Sequence, residues 1–253
     1  MNFAPIVRKI SPAIAKVYCL NSEGDVAGTG SGFLYAKKGM LVTCDHVIQG
    51  GQSILCKFPD DTTPQAPSGL FRPAKVILRD TEHDLALMRV EIDRVPLSPL
   101  SEKSVQEIEA GMPVLFSGYP LNLEALTTHQ GILSAVTTDA VGVTTYLIDG
   151  TVNSGNSGCP LMNAKGEILG VVNAKRRERS DLLNKVEAMA LGAISIHGVD
   201  LVEIYHALIS NVQLGIGYAV PAAYIPTHTS MPPRVAPTPA APLPKKQRRK
   251  KKR

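Results

Sequence analysis

The chain has 253 residues, 44% hydrophobic and 19% charged, and nowhere do about 18 apolar residues run together, which excludes a membrane-spanning helix. The formal charge of +5 is unevenly placed, because eight of the 27 basic residues lie between Lys245 and Arg253. The other 244 residues hold 19 basic and 22 acidic side chains, about −3, so the body is mildly acidic and the basic character belongs to the tail.

This length suits one large or two small domains. Glycine (21) and proline (19) are plentiful and tryptophan is absent, which fits many short strands joined by turns better than a helical bundle. The four cysteines, Cys19, Cys44, Cys56 and Cys159, have no metal-ligand spacing. The stretch from Met1 to Ala15 has no apolar core and is interrupted by Arg8 and Lys9, so no signal peptide is read. Reduced thiols and a cytoplasmic location are the expectation.

Along the chain, Ala13 to Leu20, Gly28 to Ala36 and Met40 to Thr43 read as successive strands with turn residues between them. Further strands are expected at Ser53 to Phe58, Ala74 to Leu78, Leu85 to Val90, Pro113 to Gly118, Gly131 to Thr137, Thr144 to Ile148 and Ile168 to Asn173. Their spacing suggests a sandwich or a pair of barrels. Ser101 to Glu109 is polar, a loop or a short helical turn. After Lys175 the pattern becomes helical, with amphipathic stretches at Arg176 to Met189 and Val199 to Ser210, a helical insertion over about 176–211. The last barrel strand is either Leu191 to Ile194 or Leu214 to Gly217, and the second is favoured. His197 and His206, in this insertion, have no spaced carboxylate or thiol partner and read as ordinary side chains. Residues 226–244 contain seven prolines and read as an extended linker, followed by the basic tail at 245–253, expected to be disordered until it meets an anion.

The chemistry concentrates in three phrases. Thr151-Val152-Asn153-Ser154-Gly155-Asn156-Ser157-Gly158-Cys159-Pro160 sets one serine between glycines. Upstream lie His46 in Val42-Thr43-Cys44-Asp45-His46-Val47 and Asp84 in His83-Asp84-Leu85-Ala86-Leu87. A serine hydroxyl holds its proton tightly and attacks a carbonyl only with a base in reach and donors for the oxyanion. In this arrangement His46 is the base and Asp84 fixes its tautomer. The backbone N–H groups of Gly155 and Ser157 form the oxyanion hole. Taken singly, a Gly/Ser turn, a strand-end histidine and a capping aspartate are each ordinary. All three in this order point to a nucleophilic hydrolase. Asp45 is read as diverging from His46, and Cys159 as a small packed side chain.

Gly30-Ser31-Gly32-Phe33, Thr43-Cys44-Asp45-His46-Val47, Asp84-Leu85-Ala86-Leu87, Gly131-Ile132-Leu133-Ser134, Gly155-Asn156-Ser157-Gly158 and Gly215-Ile216-Gly217-Tyr218-Ala219-Val220-Pro221 together resemble the trypsin-like serine peptidases, the HtrA/Deg type above all. The resemblance runs over roughly residues 5–225. It implies an all-β fold of two six-stranded antiparallel β-barrels of the chymotrypsin type, barrel one at about 10–95 and barrel two at about 110–225, with the site in the cleft between them. It further implies Thr151 at the base of the S1 pocket and Asn173, Ala174 and Lys175 along its wall. No acid stands at 151, so small or medium uncharged P1 residues are expected. HtrA proteins usually continue into a PDZ domain, whereas this chain continues into the proline-rich segment. Relatives of this type often form trimers, so an oligomer is anticipated.

The resulting expectation is a serine endopeptidase acting on protein or peptide substrates through an acyl-enzyme on Ser157, with no metal or organic cofactor. The alternatives are a binding module that keeps the protease fold, or a nucleic-acid-associated protein acting through Lys245 to Arg253. That run has no aromatic residue, so contact with nucleic acid or another acidic partner is expected to be sequence-independent. In a eukaryotic cell it would read as a nuclear localisation signal.

Overall fold

The computed structural model describes residues 2–59, 69–99, 101–174, 189–193, 195–205 and 215–226. Two closed six-stranded antiparallel barrels make up the body. The first contains β1 (Ile14–Leu20), β2 (Val26–Leu34), β3 (Met40–Cys44), β4 (Ser53–Lys57), β5 (Phe71–Asp80) and β6 (Leu85–Val90), in the order β1-β2-β3-β6-β5-β4. The second contains β7 (Pro113–Gly118), β8 (Thr127–Thr138), β9 (Thr144–Asp149), β10 (Pro160–Asn163), β11 (Ile168–Asn173) and, after a two-stranded excursion, β14 (Ile216–Pro221), in the order β10-β11-β14-β9-β8-β7. Of the two sequences competing for the last barrel strand, the second is therefore the one used. Gly192 lies in a turn at the other, donating its N–H to Asp200 Oδ2 at 2.6 Å.

Closure leaves neither barrel with an open sheet edge, and it turns the inward-facing residues into core. The first core gathers Val17, Phe33, Leu41, Cys56 and Met88, and extends across the barrel boundary to Leu115, Met162, Val171 and Val220. A second gathers Val114, Phe116, Leu133, Ile148 and Leu169 within the other barrel. This shared apolar seam fixes one barrel against the other and therefore fixes the cleft between them.

Several elements lie beyond the strands expected from periodicity. An N-terminal helix α1 (Ala4–Ile10) and a five-residue α2 (Glu102–Gln106) flank the first barrel's ends in sequence, α2 being capped by Ser101 Oγ. Strand β10 has only four residues, all buried, so it shows no alternation. The helix expected from Val199 starts later. Ser195–Ile196 (β12) pairs with Val199–Asp200 (β13) across a two-residue turn in which His197 and Gly198 both have positive φ, and helical residues begin at 201. Two left-handed residues in a two-residue loop are the signature of a twisted hairpin, and here they override the helical period. Residues 175–188, 206–214 and 227–253 lie outside the described residues. That takes in Lys175, His206, most of the expected helical insertion, nearly all of the proline-rich segment and the basic tail.

Candidate active site

His46 sits on a short 3-10 turn (Asp45–Ile48) directly after β3, and Asp84 is the last residue before β6. Because β3 and β6 pair with Cys44 opposite Leu85, the histidine and the aspartate leave neighbouring strand ends on the same side of barrel one. Asp84 has φ 55°, a left-handed conformation that aspartate tolerates better than most residues. That turn aims both carboxylate oxygens back at His46: Oδ1 accepts the His46 backbone N–H at 2.8 Å and Oδ2 lies 2.6 Å from Nδ1. The opposite ring nitrogen, Nε2, is 2.9 Å from Ser157 Oγ, supplied by barrel two. With the carboxylate on Nδ1, the network assigns the proton to that nitrogen and leaves the Nε2 lone pair facing the hydroxyl.

Burial alone would push Asp84 upward, but the hydrogen bond and charge of His46, with the Asn173 amide, outweigh it and hold the carboxyl below its ordinary range. The Asn173 side chain, expected in the wall of the specificity pocket, donates from Nδ2 to Asp84 Oδ2 at 2.8 Å. Its neighbour Ala174 donates its backbone N–H to Ser157 Oγ at 3.1 Å. Thr151 lies exposed beyond the end of β9, and Lys175 falls outside the described residues. Asp45 turns away from the histidine, as its place in sequence suggested, and forms a forked ion pair with Arg79 through Nε and Nη2. Cys159 is wholly buried in the second core, with its thiol pushed far up by burial.

The site loop is shaped by what surrounds it. Gly155 has φ +91°, and a Cβ there would stand 2.3 Å from the Tyr119 carbonyl oxygen, so only glycine fits. Among the described residues, neither the Gly155 nor the Ser157 N–H donates to a protein acceptor, although Ser157 is only 4% exposed. Two unspent donors flanking a nucleophile are what an oxyanion site requires. Ser31, from barrel one, holds the loop from below. Its Oγ donates to Gly155 O at 2.7 Å and accepts the Tyr119 N–H at 2.9 Å, and its own N–H donates to Ser157 O at 2.9 Å. Sequence reading placed Ser31 within a motif without a task. A polar residue between two glycines in an otherwise buried strand end was the available signal.

A second support comes from the segment between β7 and β8. Leu121 and Asn122 both have positive φ, and the Leu121 N–H donates to Ser154 O at 2.7 Å. This segment is tied to barrel one by Lys16, only 1% exposed, whose Nζ donates to Asn122 O at 3.0 Å and to Glu124 Oε1 at 2.7 Å. Lys57 reaches Glu124 Oε2, also at 2.7 Å. Hydrogen bonds from Lys16 and then Lys57 pull the Glu124 carboxyl down to about 2.

The sequence matches the trypsin-like peptidase domain family over residues 30–171, a stretch that contains His46, Asp84 and Ser157. It is 30% identical over 185 residues to the serine endoprotease DegS of Haemophilus influenzae, covering 68% of this chain and 51% of that protein. It is 31% identical over 207 residues to the serine protease Do-like HtrA of Lactobacillus helveticus, covering 78% of this chain and 48% of that one. Among solved structures, a serine endoprotease from Yersinia pestis superimposes with a TM-score of 0.60 at 25% identity, over 88% of this chain and 63% of the other. The chain thus spans about half the length of these two curated relatives.

Proposed function

The chain belongs to the family of trypsin-like peptidase domains, and from that premise we propose that it is a serine endopeptidase. The observation that carries this reading is the unbroken contact from Asp84 through His46 to Ser157, with both ring nitrogens engaged. Ser157 Oγ attacks the scissile carbonyl carbon while its proton passes to His46 Nε2. The negative charge that develops on the carbonyl oxygen is taken up by the N–H groups of Gly155 and Ser157. His46 then hands its proton to the departing amine, which leaves an acyl group on Ser157. Water, deprotonated by the same imidazole, releases it. Asp84 stays ionised throughout and balances the transient imidazolium.

For the substrate, the reading is a protein or peptide with a small or medium uncharged P1 residue, because Thr151 contributes no charge to attract Arg or Lys. The test is labelling by a fluorophosphonate probe, which Ser157→Ala abolishes, followed by cleavage of a library varied at P1. Failure of the intact chain to label, with candidate activators present, would favour a protease-fold binding module. Cleavage mainly after Arg would overturn the P1 assignment.

A second reading concerns the tail. Eight cations packed into nine residues, on a body with an acidic excess, support retention on a polyanion such as nucleic acid. Removing residues 245–253 is expected to abolish retention on single-stranded DNA cellulose at low salt and leave peptide hydrolysis intact. Equal retention of both forms would remove the tail from the account.

A further inference from the structure

Cys44 takes no part in the hydrolytic scheme, yet it lies against the triad. The side chain is wholly buried two residues before His46, and its Sγ donates to Val172 O at 3.3 Å. Its sulfur, a His46 ring nitrogen and an Asp84 oxygen all lie within 4.8 Å of one another. A sulfur, an imidazole nitrogen and a carboxylate oxygen are the donor types that borderline and soft divalent cations select, whereas Mg2+ and Ca2+ prefer oxygen alone. Around one Zn2+, such donors stand about 3.3–3.8 Å apart, so closing the cluster calls for side-chain shifts of about 1 Å.

Access is also present. A cavity of about 310 Å3 has Asp84 and Asn173 in its wall, together with Glu82, His83 and Asp139, and among the described residues no lysine or arginine lines it. Asp84 is the ligand residue that lines it, and the carboxylates of Glu82 and Asp139 in the same wall favour entry of a cation.

We propose that Cys44, His46 and Asp84 form an inhibitory site for a thiophilic divalent cation such as Zn2+ or Cd2+, reached through the cavity behind Asp84. Binding releases the thiol proton to solvent and shifts the single ring proton of His46 from Nδ1 to Nε2, and the metal takes the sulfur and Nδ1 lone pairs together with one Asp84 oxygen. No electron is transferred. The imidazole then loses its hydrogen bond to the carboxylate, and its Nε2, now carrying the ring proton, no longer accepts the Ser157 proton.

The inhibitory effect rests on the proposed hydrolytic function, but binding does not, so the two are measured separately. Co2+ is titrated into the full chain carrying Ser157→Ala, where the three donors are intact. A thiolate-to-cobalt absorption band is expected, displaced by Zn2+, and absent when Cys44→Ser, Cys44→Ala or His46→Ala is added. Absence of the band from Ser157→Ala, or its persistence with His46→Ala, overturns the site even if a cysteine variant fails to fold. In the active chain, Zn2+ is expected to suppress fluorophosphonate labelling, with recovery on EDTA, while Mg2+ leaves it unchanged. Read as the ratio with and without metal in each protein, the Zn2+ concentration needed rises at least about tenfold in Cys44→Ser. Unchanged Zn2+ potency in that variant also overturns the proposal. If the chain does not label at all, the hydrolytic reading fails and the Co2+ titration still decides the site.

Discussion

Asn173 shows how one amide sets the direction of a neighbouring charge. It donates to the same Asp84 oxygen that faces His46 Nδ1, so it fixes the carboxylate. A hydrogen bond to a charged acceptor contributes about 1.5–3 kcal/mol, so Asn173→Ala is expected to lower kcat/KM by about tenfold or more. Asn173→Asp keeps the shape but sets a second carboxylate against the first, and a larger loss is expected from it than from alanine. Steady-state hydrolysis of one peptide by both variants checks the order; equal losses would make Asn173 a packing residue only. The triad residues themselves were legible only together, because each phrase alone is ordinary and the three in this order are not. Asn173 was visible too, but only as a position in a family pattern. Its orientation depends on a contact 89 residues away that no local pattern encodes.

At the scale of elements, the strands with clean alternation or long apolar runs were legible, and those decided by closure were not. β10 is four buried residues straight after the site loop, with a proline at its start, and only the pairing of Leu161 with both Phe116 and Gly170 makes it a strand. The β12–β13 hairpin lay in the sequence as His197-Gly198 between Ser195-Ile196 and Val199-Asp200, masked by a helical period that starts only at 201. The segment between β7 and β8 is an element of another kind, a 3-10 turn (Pro120–Asn122) with left-handed Leu121 and Asn122, tied to Ser154 and Lys16 by hydrogen bonds. Its tie through Glu124 is acid-sensitive. The folded carboxyl lies at about 2 against an ordinary 4.5, so its contribution is fully present above 4.5 and is lost as pH falls toward 2. Glu124 is 62% exposed, so an ion pair there contributes only about 1 kcal/mol. Glu124→Gln is therefore expected to lower Tm by about 2–4 °C at pH 7. The gap should close as the melts are repeated at falling pH, and a constant gap down to pH 3 would remove the ion pair as the cause.

For the whole molecule, the decisive fact is that the site is built across a seam. His46 and Asp84 come from one barrel, Ser157 from the other, and Ser31 crosses between them with three hydrogen bonds. Ser31→Ala leaves the buried Gly155 carbonyl and Tyr119 N–H without that partner, at a cost of about 1–3 kcal/mol for each group stranded. Both the thermal midpoint and the rate of fluorophosphonate labelling are expected to fall. A stable variant with full labelling would show that the apolar seam alone aligns the barrels. Sequence motifs could announce two barrels, because each closes on its own strands. They could not announce how the barrels are joined, since this depends on a hydroxyl and two backbone groups more than eighty residues further along.

The backbone at Asp84 carries a consequence for how such a protein can be silenced. Its φ of 55° is one that asparagine adopts as readily as aspartate. Asp84→Asn therefore keeps the turn and the two barrels, yet presents an amide where the imidazole needs an anion. A loss of roughly 10^4-fold in kcat, with the fold retained, is expected. A single-atom exchange separates a working chain from an inert lookalike, so outward shape alone could never tell the two apart.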